Sequence, residues 1–149
     1  MPKKVRPIPK GYGSVTAALI QDNAAQTIDF CKKAFGAKVR MCMNGPGGKI
    51  MHAEIEIGDS VMMLNDAMQE PAQPAGLFLY VTDVDKTFAK AVKAGATPLM
   101  SPQDMFWGDR FGRVQDPSGN KWGIATHRED VTPKEMKKRA AAAFAGGGA

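Results

Sequence analysis

Cysteine is scarce in this chain, with two among 149 residues. Cys31 and Cys42 form no Cys-x-x-Cys pair, so neither a zinc site nor a dithiol motif follows from them. Two isolated thiols make no disulfide framework either. No apolar run approaches the roughly 18 residues of a membrane helix, and no secretory segment is recognisable. The expectation is a cytoplasmic, thiol-reduced protein with no membrane partner. The excess of positive charge, +5, is small and gathers near the ends. Lys3, Lys4, Arg6 and Lys10 lie in the first ten positions, while Lys134, Lys137, Lys138 and Arg139 crowd one late helix. No nucleic-acid fingerprint or basic-aromatic array accompanies them, so nucleic acid is not an expected partner. The glycine-rich stretch from Gly45 to Gly48 lacks the lysine and serine of a phosphate-cradling loop.

What is present is one construction used twice. The length suits a single domain over 1–149, and a 44% hydrophobic composition can fill one core. Residues 14–20 read as a strand. Asn23 and Gln26 form a capping box for a helix bearing Ile28, Cys31 and Phe35 on its apolar stripe, closed at Gly36. Strands at 38–43, 50–57 and 60–65 follow, the last two flanking the Gly58-Asp59 turn. In the second half, 77–81 reads as a strand, and Thr82 with Asp85 as a capping box. A helix face of Val84, Phe88, Ala91 and Val92 then ends at Gly95. Gly36-Ala37 recurs as Gly95-Ala96, and Gly58-Asp59-Ser60 corresponds to Gly119-Asn120-Lys121, offsets of about 60 residues that indicate duplication. The expected architecture is α+β: two β-α-β-β-β repeats, at about 12–65 and 77–127, joined by a linker at 66–76. Their sheets are expected to form a cup with helices outside. A C-terminal helix over about 133–144 is expected from Thr132, Pro133 and Glu135, with Met136, Ala140 and Phe144 on one face, before a tail that frays from Gly146.

Ile28-Asp-Phe-Cys-Lys-Lys-Ala-Phe-Gly-Ala37, His52-Ala-Glu-Ile-Glu-Ile-Gly-Asp59, Trp107-Gly-Asp-Arg110, Asp116-Pro-Ser-Gly119 and Ala125-Thr-His-Arg-Glu-Asp-Val131 occur in that order. With the duplicated pattern, they make the chain resemble the PhnB-like branch of the vicinal oxygen chelate superfamily, relatives of which include glyoxalase I and bleomycin resistance proteins. The match covers roughly residues 12–139. PhnB-like members usually carry Asp-Pro-Phe-Gly-His where this chain has Asp116-Pro-Ser-Gly-Asn120. The superfamily's metal enzymes take ligands from the first and last strands of each copy. The resemblance carries those positions to Val15, Met62 or Met63, Gly76 or Leu77, and Gly123, which offer no oxygen or nitrogen side chain for a divalent ion. It therefore implies no metal and no cofactor.

Among the residues themselves, His52, Glu54 and Glu56 alternate along one strand and share a face. They are candidates for proton transfer, or an ordinary solvated face. Spread over roughly 13 Å, they cannot all grip one ion. Trp107, Arg110, Arg113 and Trp122 are stronger candidates for binding, since indoles offer broad apolar surfaces and arginine a bidentate hold on an acid. The less specific alternative pairs Asp109 with Arg113. Phe78, Phe106 and Phe111 are either cavity walls or core, and methionines 41, 43, 51, 62, 63 and 100 fit a soft interior. The Asp116–Asn120 stretch reads as a structural turn, and His127 as a capping or interface residue. The preferred reading is metal-independent binding of a small anionic or aromatic molecule, with Trp107, Trp122, Phe106 and Phe78 against it and Arg110 on its acidic group. A metal-dependent lyase or isomerase acting through His52 or Glu54 is the alternative; a structural or regulatory homodimer with a vestigial pocket is a third. Open sheet edges and the late helix lead us to expect a homodimer.

Overall fold

A computed structural model describes residues 4–146; Lys3 of the basic run and residues 147–149 of the glycine tail lie outside the described residues. The chain forms two compact units. One draws on the chain up to Ala75 and on Pro117–Gly119, the other on Gly76–Asp116 and the chain from Asn120.

The first unit holds β1 (Ala18–Gln21), α1 (Ala24–Phe35), β2 (Lys38–Asn44), a 3-10 turn (Pro46–Gly48), β3 (Ile50–Ile57) and β4 (Ser60–Asp66). Its strands lie in the order β1-β4-β3-β2, with β1 parallel to β4 and the other pairs antiparallel. Asn23 Oδ1 accepts from the Gln26 N–H, as the capping pattern requires, and Gly36 closes the helix at φ 68. The face of α1 bearing Ile28, Phe30 and Cys31 buries against Ile55 and its neighbours. Each such aliphatic or aromatic side chain contributes about 2 kcal/mol of transfer free energy. The first strand is shorter than the sequence pattern suggests. Pairing with β4 starts only at Ala18, opposite Met63, and Val15 lies outside the ladder, 92% exposed.

The second unit repeats this order with β5 (Gly76–Tyr80), α2 (Val84–Lys93), β6 (Thr97–Asp104), β7 (Asp109–Gln115) and β8 (Lys121–His127), arranged β5-β8-β7-β6. The two repeats thus form two mixed sheets flanked by helices, an α+β fold. One local expectation is corrected. Asp83, not Thr82, caps α2 and accepts from the Lys86 N–H, which leaves the Asp85 carboxylate to pair elsewhere. Edge strand β6 carries Pro98 and Pro102 and shifts register around Met100, as proline in a strand demands. The C-terminal helix α3 (Pro133–Gly146) starts where expected, with Thr132 Oγ1 accepting from the Glu135 N–H. Arg139 ties it down by donating to Glu129 and the Phe106 carbonyl, and also donates to Glu135 within the helix.

The duplication extends to single rows of side chains. Across the first sheet, Ala18, Met63, Glu54 and Met41 are register neighbours; across the second, the corresponding row is Phe78, Gly123, Arg113 and Met100. A bulge precedes Met41 in one and Met100 in the other. These rows lie on the sheet faces turned away from α1 and α2.

Candidate functional site

Side chains alternate along a strand, so β7 sends Arg110, Gly112 and Val114 toward α2 and Asp109, Phe111 and Arg113 to the other face. A Cβ on Gly112 would lie 3.1 Å from Phe88 of α2, which fixes the sidedness. Arg110 donates to both oxygens of Asp85 at 2.9 and 3.1 Å and to Asp104 at 3.3 Å. Those pairs raise its pKa and engage a donor on each of its three nitrogens. Trp107, in the turn before β7, packs instead against Phe111 with ring centroids 5.8 Å apart and donates to Asp109. The joint grip expected of Trp107 and Arg110 is therefore not assembled, because the two act on opposite faces. Trp122 is 2% exposed, with its indole N–H on Asp116 Oδ2 at 2.9 Å. It presents no open ring face.

The face away from α2 is aromatic. Phe78 and Phe111 stack in parallel at 5.3 Å, and Tyr80 adjoins Phe78 at 5.0 Å. Phe106 meets Trp107 edge-on at 5.2 Å and Phe144 of α3 at 6.2 Å. Phe78 is 51% exposed and Tyr80 58%. The stack sits over Gly123, where a Cβ would lie 2.8 Å from Phe111 Cε2 and 3.0 Å from Phe78 Cδ2. Glycine is needed there because both rings occupy the space above it. Arg113 is exposed on this face and makes no ion pair among the described residues.

Beside the aromatics lies a polar cluster that the sequence did not reveal. The Asp109 carboxylate, 3% exposed, accepts from Tyr80 Oη at 2.8 Å, Trp107 Nε1 at 2.9 Å and His127 Nδ1 at 2.8 Å. Burial alone would raise its pKa; the three donors outweigh that and hold it below the ordinary carboxylate range. Tyr80 is raised in turn, by its bond to Asp109 and by burial. His127 Nε2 lies 2.7 Å from Asp130 Oδ1, so carboxylates engage both ring nitrogens and its pKa is raised, by Asp130 first and Asp109 second. The expected Asp109–Arg113 pair is absent among the described residues: four positions apart on β7, the two residues are separated by roughly 13 Å, and Tyr80, Trp107 and His127 hold the carboxylate. A cavity of about 530 Å3, lined by Tyr80, Val81, Thr82, Thr126 and His127, opens at the ends of β5 and β8.

On the first sheet, the face away from α1 carries a different set. His52 Nε2 lies 3.0 Å from Glu54 Oε2, and the Arg40 guanidinium lies 5.3 Å above the Tyr12 ring and 3.8 Å from Glu56. Among the described residues the Tyr12 hydroxyl is buried with no hydrogen bond within 3.5 Å, yet close enough to Glu54 for each to shift the other's titration. Tyr12 and then His52 hold Glu54 below its ordinary range, whereas burial and then Glu54 raise Tyr12. Glu56 points the same way but lies further along the strand. A cavity of about 390 Å3 near this face is lined by Ile20, Met51, Asn65, Met68, Gln69 and Glu70.

Two mixed sheets of the same strand order, each backed by a helix, define the class as a duplicated β-α-β-β-β protein. The model of the Glyoxalase/Bleomycin resistance protein/Dioxygenase superfamily matches residues 13–124, and the chain belongs to that superfamily. It is 37% identical over 131 residues to an uncharacterized protein of Mycobacterium tuberculosis strain H37Rv, covering 80% of this chain and 77% of the relative. Its fold is similar to TioX from Micromonospora sp. ML1, with 23% identity, a TM-score of 0.65 and coverage of 80% and 100% of the two chains. It is also similar to a PhnB protein from Bacillus cereus, with 16% identity, a TM-score of 0.59 and coverage of 76% and 99%. The ion site of the superfamily's metal enzymes does not fit these residues. Val15 precedes the sheet, Met63 offers only a thioether, and two phenyl rings fill the space over Gly123. Among the described residues no three of histidine, cysteine, aspartate and glutamate are grouped to hold a metal. No helix among them is long and apolar enough to cross a membrane.

Proposed function

We propose that the protein binds a small aromatic molecule, with or without an acidic group, on the face of the second sheet bearing Phe78, Tyr80, Phe111 and Trp107, and that it does so without a metal. The observation that carries this reading is the half-exposed Phe78–Phe111 stack seated on Gly123. A planar ligand gains apolar burial and ring–ring contact there, and aromatic pairs contribute about 1 kcal/mol beyond their area. Two cationic groups remain within reach of this face for an acidic substituent, Arg113 and His127. Arg110 is already held by Asp85 and Asp104. The same reading places the chain in the PhnB-like branch, on its Trp107-Gly-Asp-Arg110 and Ala125–Val131 segments. It also pairs two copies as a homodimer, for which light scattering would give twice the 16.0 kDa of one chain.

Fluorescence titration with 2-naphthoate is the test. Trp107 is half-buried and adjoins Phe111, so binding quenches it, whereas Trp122 is enclosed. Phe78→Ala is expected to weaken binding by about tenfold, equivalent to ~1.4 kcal/mol. No quenching by any of a broad set of aromatic acids and neutral arenes would instead favour a scaffold with a vestigial pocket. The second reading, a lyase or isomerase, draws on His52 and Glu54, whose side chains lie 3.0 Å apart; Tyr12 and His52 keep Glu54 ionised, although the same contacts make it a weaker base. Stoichiometric zinc, nickel, manganese or iron in the purified protein would favour that reading.

A further inference from the structure

The proposed binding face leaves open which group would receive a ligand's acidic end, and the surroundings of His127 answer it. Its imidazole is aimed by a buried partner: Nδ1 donates to Asp109, whose other oxygen is fixed by Tyr80 and Trp107. Its outer nitrogen, Nε2, faces Asp130 three residues along, and the Asp130 side chain is fully exposed. The intervening backbone is anchored, since the N–H groups of Arg128 and Glu129 both donate to the Gly108 carbonyl at 2.9 and 3.0 Å. Gly108 lies at φ 102, with the Glu129 carbonyl where a side chain would project. The ring is therefore rigidly presented, while the carboxylate on it is held by one exposed contact of a kind that contributes little. The cavity of about 530 Å3 includes this imidazole, and Tyr80 lines it as well.

Resting on the proposed function, we propose that His127 is a carboxylate-binding subsite, and that Asp130 is an internal stand-in for the carboxylate of an aromatic acid. A ligand whose ring lies on Tyr80 and Phe78 exchanges its own carboxylate for that of Asp130 on Nε2–H. Nothing covalent changes: one charge-assisted hydrogen bond replaces another, and the ring contact supplies the net gain. The charged and titratable groups facing His127 are Asp109 from β7, Tyr80 behind Asp109 from β5, and Asp130 on its own segment. Neighbouring Glu129 is occupied by Arg139 of α3. The subsite is competent only with the imidazolium form, so affinity for carboxylates falls as pH rises through the titration of His127.

The test follows the His127 ring by 15N NMR in the full-length protein during titration with benzoate, and separately with acetate. In mildly acid solution, where the imidazole stays protonated without its neighbour, Asp130→Asn removes the internal competitor and is expected to tighten benzoate binding by about threefold; His127→Gln weakens it by about tenfold, and Arg113→Gln changes it less than about twofold. Unchanged affinity in Asp130→Asn, or a loss in Arg113→Gln in place of His127→Gln, would overturn the proposal. Acetate separates this proposal from the reading beneath it. Acetate shifts at His127 of Asp130→Asn, with benzoate binding no tighter than acetate, keep the subsite and remove the aromatic platform. Benzoate binding that leaves the His127 resonances unmoved keeps the platform and removes the subsite.

Discussion

The two sheets share strand order, register and bulge position, yet their corresponding rows differ in each chemically important place. In the first, Met63 stands between Ala18 and Glu54; in the second, Gly123 stands between Phe78 and Arg113. Side-chain volume has moved from the last strand to the first, and the charge on the third has reversed. The first face is a sulfur-and-carboxylate surface overlain by Tyr12 and Arg40. The second is an aromatic platform edged by a buried aspartate and an imidazole. A duplicated fold thus fixes where side chains go, while the identity of a few of them decides what each copy can bind.

The largest expected difference between the copies lies in the carboxylates of these faces, Asp109 buried and Glu54 only partly so. Asp109→Ala leaves three donors without their acceptor and is expected to cost about 3 kcal/mol in urea unfolding. Glu54→Ala, on the corresponding face of the first sheet, is expected to cost about 1 kcal/mol, because His52 beside it reaches solvent. Equal losses would mean the two faces are not as different as their hydrogen bonds imply. Next comes Gly123→Ala, which forces Phe78 and Phe111 apart and is expected to cost about 1–2 kcal/mol, with a changed near-ultraviolet circular dichroism.

A smaller effect is tied to pH. The folded pKa of His127 is raised by Asp130 and Asp109, so its contribution is fully present below the ordinary histidine value of about 6.5 and is lost as pH rises through the folded value. The stability gap between wild type and His127→Gln should therefore close on going from mildly acid to alkaline solution. A gap that widens with pH would contradict the assignment. Least of all should Arg110→Ala matter. Its carboxylate partners are exposed and screened by solvent, so the urea midpoint is expected to move least of all these variants, and 2-naphthoate affinity is expected to stay unchanged.

Much of this fold was legible in the sequence. The capping residues Asn23 and Thr132, the closing Gly36 and the repeated Gly36-Ala37 and Gly95-Ala96 pairs each reflect a local backbone need. The start of β1 was less legible, because pairing with Met63, and not the apolar run from Ser14, decides it. The binding face was only half visible. Phe78, Phe106 and Trp107 stood out by composition, but Trp107 and Arg110 lie near one another in sequence and on opposite faces in space. Strict alternation from Asp109 through Phe111 to Arg113 was the available signal, with Tyr80 two places after Phe78. The Asp109 cluster depends on a long-range pairing between β7 and β8, which no local pattern announces.

The most direct measurement maps 2-naphthoate onto the chelator-treated, isotope-labelled protein by chemical-shift perturbation. Shifts concentrated at Phe78, Tyr80, Phe111 and Trp107, undiminished by the chelator, are predicted. Shifts centred on His52, Glu54 and Met63, or binding that disappears with the chelator and returns with a divalent metal, would contradict a metal-free aromatic site on the second sheet.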